Sequence, residues 1–271
     1  MRTALEEEAA LGPGSPQGLA VGRTLAVEAI AGAAKLLGAG EDEVALTHGT
    51  TEGVNMVLHG LPWQAGDELV TADLEHPALA STTKVVAERY GVVLREIEIG
   101  PQASADEMVS RIAGAITPRT RLVALSHIQF TCGLRMPLGP IALAAHASGA
   151  LLLVDGAQTG GQVVLDMPGL GADFYAISGQ KWLFGATGTG ALYVRRGLRE
   201  QLRPMFVAHD LDAGGRRAGA RLYELTSNGA GVVAGFAEGL RIHLELGPER
   251  IETRVKELSD RLRAALEGAA G

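Results

Sequence analysis

The 271-residue sequence contains one cysteine, Cys132, and only four lysines against twenty arginines. A single cysteine cannot form an internal disulfide, which agrees with a reducing compartment. No block of lysines and arginines stands out, and the formal net charge is −7. A surface that binds the phosphate backbone of nucleic acids is therefore not expected.

Long apolar runs are also missing, since none approaches the ~18 residues that a membrane span requires. The N-terminus "MRTALEEEAALG" is acidic and lacks the basic start and apolar core of a signal peptide. We therefore expect a cytoplasmic protein with no membrane among its partners. With 46% hydrophobic residues, the chain can still bury a sizeable core.

Several common catalytic motifs are absent. There is no Gly-x-Ser-x-Gly elbow of a serine hydrolase and no Walker lysine of a nucleoside triphosphatase. The seven histidines show no metal-ligand spacing. No Gly-rich turn after a first strand fits a dinucleotide fold.

Short apolar runs alternate with helix-length segments, which is typical of a layered α/β domain. "LLLV", residues 151–154, is apolar on both faces and predicts a central parallel strand covered by helices on each side. The pattern therefore predicts an α/β fold with a mostly parallel sheet between helices, a three-layer α/β/α sandwich. The predicted strands are "DELVTA", "VVLREIEI", "RLVALSHI", "ALLLVDGA", "DFYAIS" and "GALYVRR".

The chain divides into three predicted parts. Residues 1–40 are an Ala-rich helical arm, interrupted at "GPGSPQG", that lies over a partner or over the domain. Residues 41–212 form the large domain, and residues 213–271 contain a polar connection and a final helix. That helix places apolar residues on one face and needs a surface to pack on, either the large domain or a further domain outside this chain. These residues are Ile251, Val255, Leu258, Leu262 and Leu266.

Polar side chains follow two of the predicted strands, where an open parallel sheet binds its ligands. Asp155 ends one strand, and Gln158 lies one turn further on. Ser178, Gln180 and Lys181 follow the next strand. Lys181 is the one ammonium in the apolar, Gly-rich run "AISGQKWLFGATGTGALYV", in a chain that otherwise uses arginine for its positive charge.

Gly49, Thr50 and Thr51 directly precede a predicted helix. Free backbone N–H groups, two hydroxyls and the positive end of the helix dipole suit a phosphate, although an ordinary N-cap would have the same residues. Taken with Asp155 and Lys181, this turn calls for a ligand with a phosphate, a protonated ring nitrogen and a carbon that an amine can attack. Pyridoxal 5′-phosphate (PLP) has all three.

These motifs, as an ordered set, resemble the class V aminotransferases, a branch of the PLP-dependent enzymes of fold type I. The branch includes cysteine desulfurases, cysteine or cystine C–S lyases and isopenicillin N epimerase-like proteins. The resemblance covers residues from about 41 to about 245. It implies the large domain of the type I PLP-dependent transferase fold, with PLP as the cofactor.

The resemblance also implies roles for the site residues. The "GTTE" turn, residues 49–52, holds the phosphate, and His76 in "GDELVTADLEHPA" stacks on the pyridine ring. Asp155 in "VDGAQ" pairs with the ring nitrogen, and Gln158 contacts the ring hydroxyl. Asp155 would thereby keep the ring an electron sink.

Lys181, after "SGQ", is implied as the lysine that forms a Schiff base with PLP and then takes the Cα proton of the substrate. Arginine could not lose the proton that this requires. Ser178 and Gln180 lie near the phosphate, although family members commonly have histidine where Gln180 stands. Thr187 reaches the phosphate of a neighbouring subunit, which implies a homodimer with shared sites.

Each of these residues also has an ordinary structural explanation. Asp155 could cap a turn, His76 could be a turn histidine before a proline, and Lys181 could extend to the surface. Their joint occurrence at strand ends, in the family's order, favours the site. Cys132 is expected to be a small buried side chain, as lone cysteines more often are. It does not occupy the position of the persulfide-forming cysteine of desulfurases and is not assigned as a nucleophile.

The favoured hypothesis is a PLP-dependent enzyme acting on an amino acid, most similar to a C–S lyase or cysteine desulfurase. The alternative is a noncatalytic or incomplete domain that keeps the fold and the dimer surface. The resemblance implies a shortened N-terminal segment and the absence of most of the small domain that supplies the arginine for the substrate carboxylate. Arg135 could lie near the site, but no family motif makes it that arginine.

Overall fold

The computed structural model describes residues 1–206, 219–225 and 228–269. Its strands are β1 (Val44–Thr47), β2 (Glu68–Ala72), β3 (Val93–Ile97), β4 (Thr120–Ser126), β5 (Leu151–Asp155), β6 (Phe174–Ser178) and β7 (Gly190–Val194). Its α-helices are α1 (Arg2–Leu11), α2 (Pro16–Leu37), α3 (Thr50–Gly60), α4 (Pro77–Tyr90), α5 (Ala105–Ala115), α6 (Leu138–Ala147), α7 (Met167–Leu170), α8 (Ala230–Leu246) and α9 (Pro248–Ala269).

The seven strands form one sheet in the order β1-β7-β6-β5-β4-β2-β3. Strands β2 to β6 pair in parallel, whereas β7 pairs antiparallel with both β1 and β6. The mostly parallel sheet is therefore confirmed, and all six predicted strands are present. The short β1 and the antiparallel direction of β7 were not predicted.

Both faces of the sheet are covered, because successive residues of each inner strand point to opposite sides. Along β5, Leu152 and Val154 pack with α2, α5, α6 and α8. Leu151 and Leu153 pack on the other side with α3 and α4. This confirms the three-layer α/β/α sandwich and the central position of the "LLLV" strand.

The N-terminal helices lie on the domain itself. α2 packs along α8 so closely that a Cβ atom at Gly32 would lie 3.1 Å from Cβ of Leu240. α1 also packs on α8, and a Cβ at Gly231 would lie 2.5 Å from Leu5. Of the two positions considered for the arm, the structure has the one over its own domain.

The apolar face of α9 is only partly covered. Ile251 and Val255 are half-buried, whereas Leu258, Leu262 and Leu266 are 48%, 61% and 61% exposed. The expected docking on the large domain is thus limited to the first two turns of the helix.

The predicted domain boundary between residues 212 and 213, and most of the polar connection, lie outside the described residues. The three-part division of the chain therefore remains a prediction. Within the described ranges, no helix combines the length and the hydropathy needed to cross a membrane.

Candidate active site

The carboxyl ends of β4, β5 and β6 meet at one edge of the sheet. His127 donates its backbone N–H to the carbonyl of Asp155 over 3.0 Å, and Gly156 donates to the carbonyl of Ala176 over 2.8 Å. These bonds continue the parallel pairing past the strand ends, so the loops that follow the three strands lie side by side.

Gly49, Thr50 and Ser178 form a small polar cradle at this edge. The Thr50 hydroxyl donates to Ser178 Oγ over 3.0 Å, and the Thr50 N–H approaches the same oxygen at 3.4 Å. Gly49 has a φ of +150°, which favours glycine, and a Cβ there would enter the cradle 3.7 Å from Ser178 Oγ. The first turn of α3, with its free N–H groups, starts at this cradle. Thr51, the other threonine of the predicted turn, is exposed.

Lys181 and His76 both lie within electrostatic reach of Asp155. Burial raises the pKa of Asp155, and Lys181 and His76 both act to lower it. Asp155 is 4% exposed, and its Oδ1 accepts a hydrogen bond from the N–H of Ala157 over 2.9 Å. Lys181 is partly buried, and its ammonium makes no hydrogen bond or ion pair with the described residues. The turn-capping role considered for Asp155 is real, and it leaves Oδ2 available.

His76 is fixed at the start of α4. Its Nδ1 accepts a hydrogen bond from the N–H of Ala78 over 3.1 Å, which leaves the ring proton of the neutral imidazole on Nε2. The edge of the ring meets Phe130, with centroids 4.8 Å apart and planes at 74°. The imidazole is thereby held from two sides.

Gln158 connects two of the loops at the site. Its Oε1 accepts a hydrogen bond from Nε1 of Trp182 over 2.9 Å, and Trp182 directly follows Lys181. Gln180 and Thr187 are exposed, and the side chains of both make no hydrogen bond within the described part of the chain. Their predicted phosphate contacts, one of them across a dimer, remain predictions.

Sequence reasoning missed a buried carboxylate beside His76. Glu75 accepts hydrogen bonds from the N–H of Ser126 at 3.0 Å to each oxygen, from the Ser126 hydroxyl, and from Nε2 of Gln129 at 3.0 Å. The pKa of Glu75 is raised to about 7, chiefly by burial. The charge of Asp155 also raises it, whereas the hydrogen bonds from Ser126 and Gln129 act to lower it. Its position next to His76 was the one sequence signal available, and nothing in the pattern indicated its burial.

Replacing Glu75 with glutamine should change how stability depends on pH. Below pH 4.5 the carboxyl is protonated in both states; between pH 4.5 and about 7 the native state keeps a proton that the unfolded chain loses. The free energy of unfolding of the parent is therefore lower at pH 8 than below pH 4.5 by on the order of 3 kcal/mol. Urea unfolding at pH 5 to 8 should therefore show Glu75→Gln gaining stability relative to the parent as the pH rises.

Glu68 provides the matched control, because it is a buried carboxylate at the other end of β2. Hydrogen bonds from Arg95, Thr117 and Arg119 lower its pKa to about 2, so it is ionised in both states above pH 5. The stability difference between Glu68→Gln and the parent should then be constant from pH 6 to 8. An equally constant difference for Glu75→Gln would contradict the raised pKa.

A chain of hydrogen bonds supports the turn that carries Asp155. Arg135 donates its Nε–H to Nε2 of His127 at 3.4 Å, so the ring proton of His127 is on Nδ1, 2.8 Å from the Tyr175 hydroxyl. Tyr175 in turn donates to Thr159 at 2.5 Å, and Thr159 donates to the carbonyl of Gly156 at 2.8 Å. Burial, with the charge of Arg135, lowers the pKa of His127 to about 3, so this imidazole is neutral.

Replacing Tyr175 with phenylalanine should lower the free energy of unfolding by about 1–3 kcal/mol, because the N–H of His127 loses its buried acceptor. Tyr193 pairs with Tyr175 across β6 and β7 and makes no comparable hydrogen bond in the described structure, so Tyr193→Phe should change stability by less than about 0.5 kcal/mol. Urea unfolding of both variants makes the comparison. Equal effects would mean that the hydroxyl of Tyr175 contributes nothing specific.

A cleft of about 530 Å³ opens between this edge and the start of α9, a size suited to a small-molecule ligand. Its walls come from the loop after β4, from the loops that carry Gln158 and Trp182, and from α9. Residues of the cleft include Gln129, Phe130, Cys132, Arg135, Gln158, Trp182, Glu252 and Lys256.

Two residues weighed from the sequence lie in this cleft. Cys132 is exposed, so the expectation of a buried side chain was wrong: it occupies the polar loop beyond β4 rather than the core. Arg135 is there too, but its Nη1 pairs with Oε1 of Glu252 at 2.7 Å. No group of metal-ligating side chains occurs among the described residues.

Similarity to known proteins extends over most of the chain. The family model "Aminotransferase class-V" matches residues 23–271. The isopenicillin N epimerase of Streptomyces clavuligerus is 33% identical over 253 residues, which cover 88% of this chain and 63% of the epimerase. A cysteine desulfurase of Klebsiella pneumoniae is 38% identical over 178 residues, 64% of this chain and 43% of that protein. The chain thus spans less than two thirds of the length of these curated relatives.

The fold is also similar to those of solved structures. A variant of the protein C-DES with glycine covalently linked to its PLP cofactor superposes with a TM-score of 0.89 at 27% identity, covering 97% of this chain and 74% of that one. The cystine C–S lyase C-DES with its product cysteine persulfide superposes with a TM-score of 0.82 at 28% identity, covering 90% and 69%. The type I PLP-dependent transferase fold implied by the sequence is confirmed, and the chain belongs to the aminotransferase class-V family.

Proposed function

We propose that this protein is a PLP-dependent enzyme that acts on an amino acid through a Schiff base at Lys181, with C–S bond cleavage as its reaction. The observation that carries the proposal is the convergence of Asp155, Lys181 and His76 at one sheet edge, next to the Gly49–Ser178 cradle. The relatives that support the reaction class are a cysteine desulfurase and the cystine C–S lyase.

The residues of this edge fit the cofactor. The cradle has two hydroxyls and the first N–H groups of α3, an arrangement that suits a phosphate. The φ of +150° at position 49 is one that L side chains rarely adopt, which explains the glycine. Asp155 is a buried carboxylate, the group that keeps a pyridine nitrogen protonated, and Lys181 is the nearby primary amine without a partner among the described residues.

PLP supplies an electron sink for the carbanion formed at Cα of an amino acid. The protein supplies the rest. Lys181 would hold the cofactor and would take the Cα proton as the general base, and Asp155 would keep the ring nitrogen protonated. His76 would restrain the ring plane. Gln158 accepts a hydrogen bond from Trp182, next to Lys181, and its amide would contact the ring hydroxyl.

We extend the proposal to the assembly and the location. The protein forms a homodimer in which Thr187 of one subunit completes the phosphate site of the other, and it is located in the cytoplasm. Gln180 takes the place of the family's histidine and would donate its amide N–H to the phosphate.

The test begins with visible absorption. The purified chain, incubated with PLP and desalted, should keep a yellow absorption band. It should then release sulfide or persulfide from L-cysteine or L-cystine. A band without turnover of either substrate, and without racemisation of other amino acids, would favour the noncatalytic alternative, and no band at all would contradict the proposal.

A further inference from the structure

The second carboxylate at the site, Glu75, is buried directly beside His76. It is 7% exposed, and its burial raises its pKa, so the native protein holds it at a cost. A buried titratable group beside a predicted active site, with specific partners, is a candidate for a functional role.

The partners of Glu75 all come from one neighbouring segment. Ser126 is the last residue of β4, and Gln129 lies in the loop that follows. The carboxylate therefore ties the loop between β2 and α4 to the loop after β4. Gln129 is 1% exposed, and its amide orientation is set by the bond from its Nε2 to Glu75.

The next residue on each loop makes a second contact. His76 follows Glu75, Phe130 follows Gln129, and the two rings meet edge to face at 4.8 Å. The hydrogen-bonded pair and the ring pair thus lie side by side across the same two loops. One peptide unit joins Glu75 of the first pair to His76 of the second.

We infer that Glu75 is a positioning residue for PLP binding: the hydrogen bonds from Ser126 and Gln129 to its carboxylate set the orientation in which His76 meets the cofactor. Glu75 itself need not touch PLP. The inference rests on the proposed function and adds to it a residue to which the sequence analysis assigns no role.

The test is a double-mutant cycle on PLP affinity, measured by titration of the visible band, with the visible circular dichroism of the bound cofactor as a second readout. Glu75→Ala should weaken PLP binding by about tenfold and change the dichroism, because a misplaced ring loses its contact. In a His76→Ala background, the same change should have little further effect. A purely structural role would weaken binding equally in both backgrounds.

Two further variants separate hydrogen bonding from charge and from stability. Glu75→Gln should bind PLP within about threefold of the parent, because rotation of the Gln129 amide would restore the bonds. Glu68→Ala should reduce stability but leave PLP affinity unchanged, since Glu68 lies at the opposite end of β2. If Glu75→Ala does not fold, Ser126→Ala replaces it and should still shift the dichroism.

Unchanged affinity and dichroism in Glu75→Ala, or in Ser126→Ala when that variant replaces it, would overturn the inference, as would additive effects in the cycle. Failure of the parent chain to bind PLP is a different result. It would remove the proposed function itself, so the two failures are distinguishable.

Discussion

Replacing Lys181 with alanine should slow the exchange of the Cα hydrogen of a bound amino acid by at least about 10³-fold, or about 4 kcal/mol in activation free energy. Loss of this proton is the first step shared by elimination, desulfuration, transamination and racemisation on PLP. The side chain would both hold the cofactor and accept the proton, so no other group replaces it. Proton NMR of L-cysteine or L-alanine in deuterated water follows the exchange, whichever product the enzyme then forms.

Two matched variants sharpen this prediction. Lys181→Arg keeps the charge but cannot lose a proton at working pH, so it should be as inactive as the alanine variant. Lys84→Ala removes a surface lysine that pairs with Glu96 and should exchange at the rate of the parent. Exchange by Lys181→Arg at more than about a tenth of the parental rate would exclude Lys181 as the base.

Replacing Asp155 with asparagine should reduce the same exchange by about 10²–10³-fold, the usual effect of removing one preorganised electrostatic partner. The amide can still accept the hydrogen bond from Ala157, so the turn should keep its shape. It cannot hold the ring nitrogen protonated, because it carries no charge. The visible band of bound PLP should therefore remain while exchange is lost.

A retained visible band with reduced exchange distinguishes Asp155→Asn from Lys181→Ala, which should lose both the band and the exchange. Asp173 offers a control for burial alone: it is a fully buried carboxylate near the start of β6, bonded to His146 and Arg195. Asp173→Asn should lower stability but leave the rate of exchange in the folded protein unchanged. A rate loss as large as that of Asp155→Asn would show that the effect reflects general disruption.

Much of the fold could be predicted from the sequence because its signals are local. The run from Leu151 to Val154 is long and apolar enough to indicate a buried strand, and α4 begins at Pro77 and ends before Gly91, whose φ is +68°. β1 was missed because its four residues are too few to show a period. The direction of β7 depends on pairing across the sheet, which no local pattern encodes.

The residues of the site likewise fall into those that local sequence signals indicate and those that they do not. Asp155, Ser178 and Lys181 could be found because each follows an apolar strand within a motif. Glu75 and Tyr175 could not, since their importance comes from partners 51 and 48 positions away, Ser126 and His127. A polar residue that becomes buried only through such contacts looks, in the sequence, like any surface residue or strand residue.

The most direct test of the account is to locate the covalent bond. The parent protein is incubated with PLP, reduced with borohydride and digested, and the pyridoxyl group is assigned by mass spectrometry. The chain has four lysines, at positions 35, 84, 181 and 256, so the assignment is unambiguous. The pyridoxyl label should be found on Lys181 alone. A label on another lysine, or one spread evenly over all four, would contradict the Schiff base at Lys181.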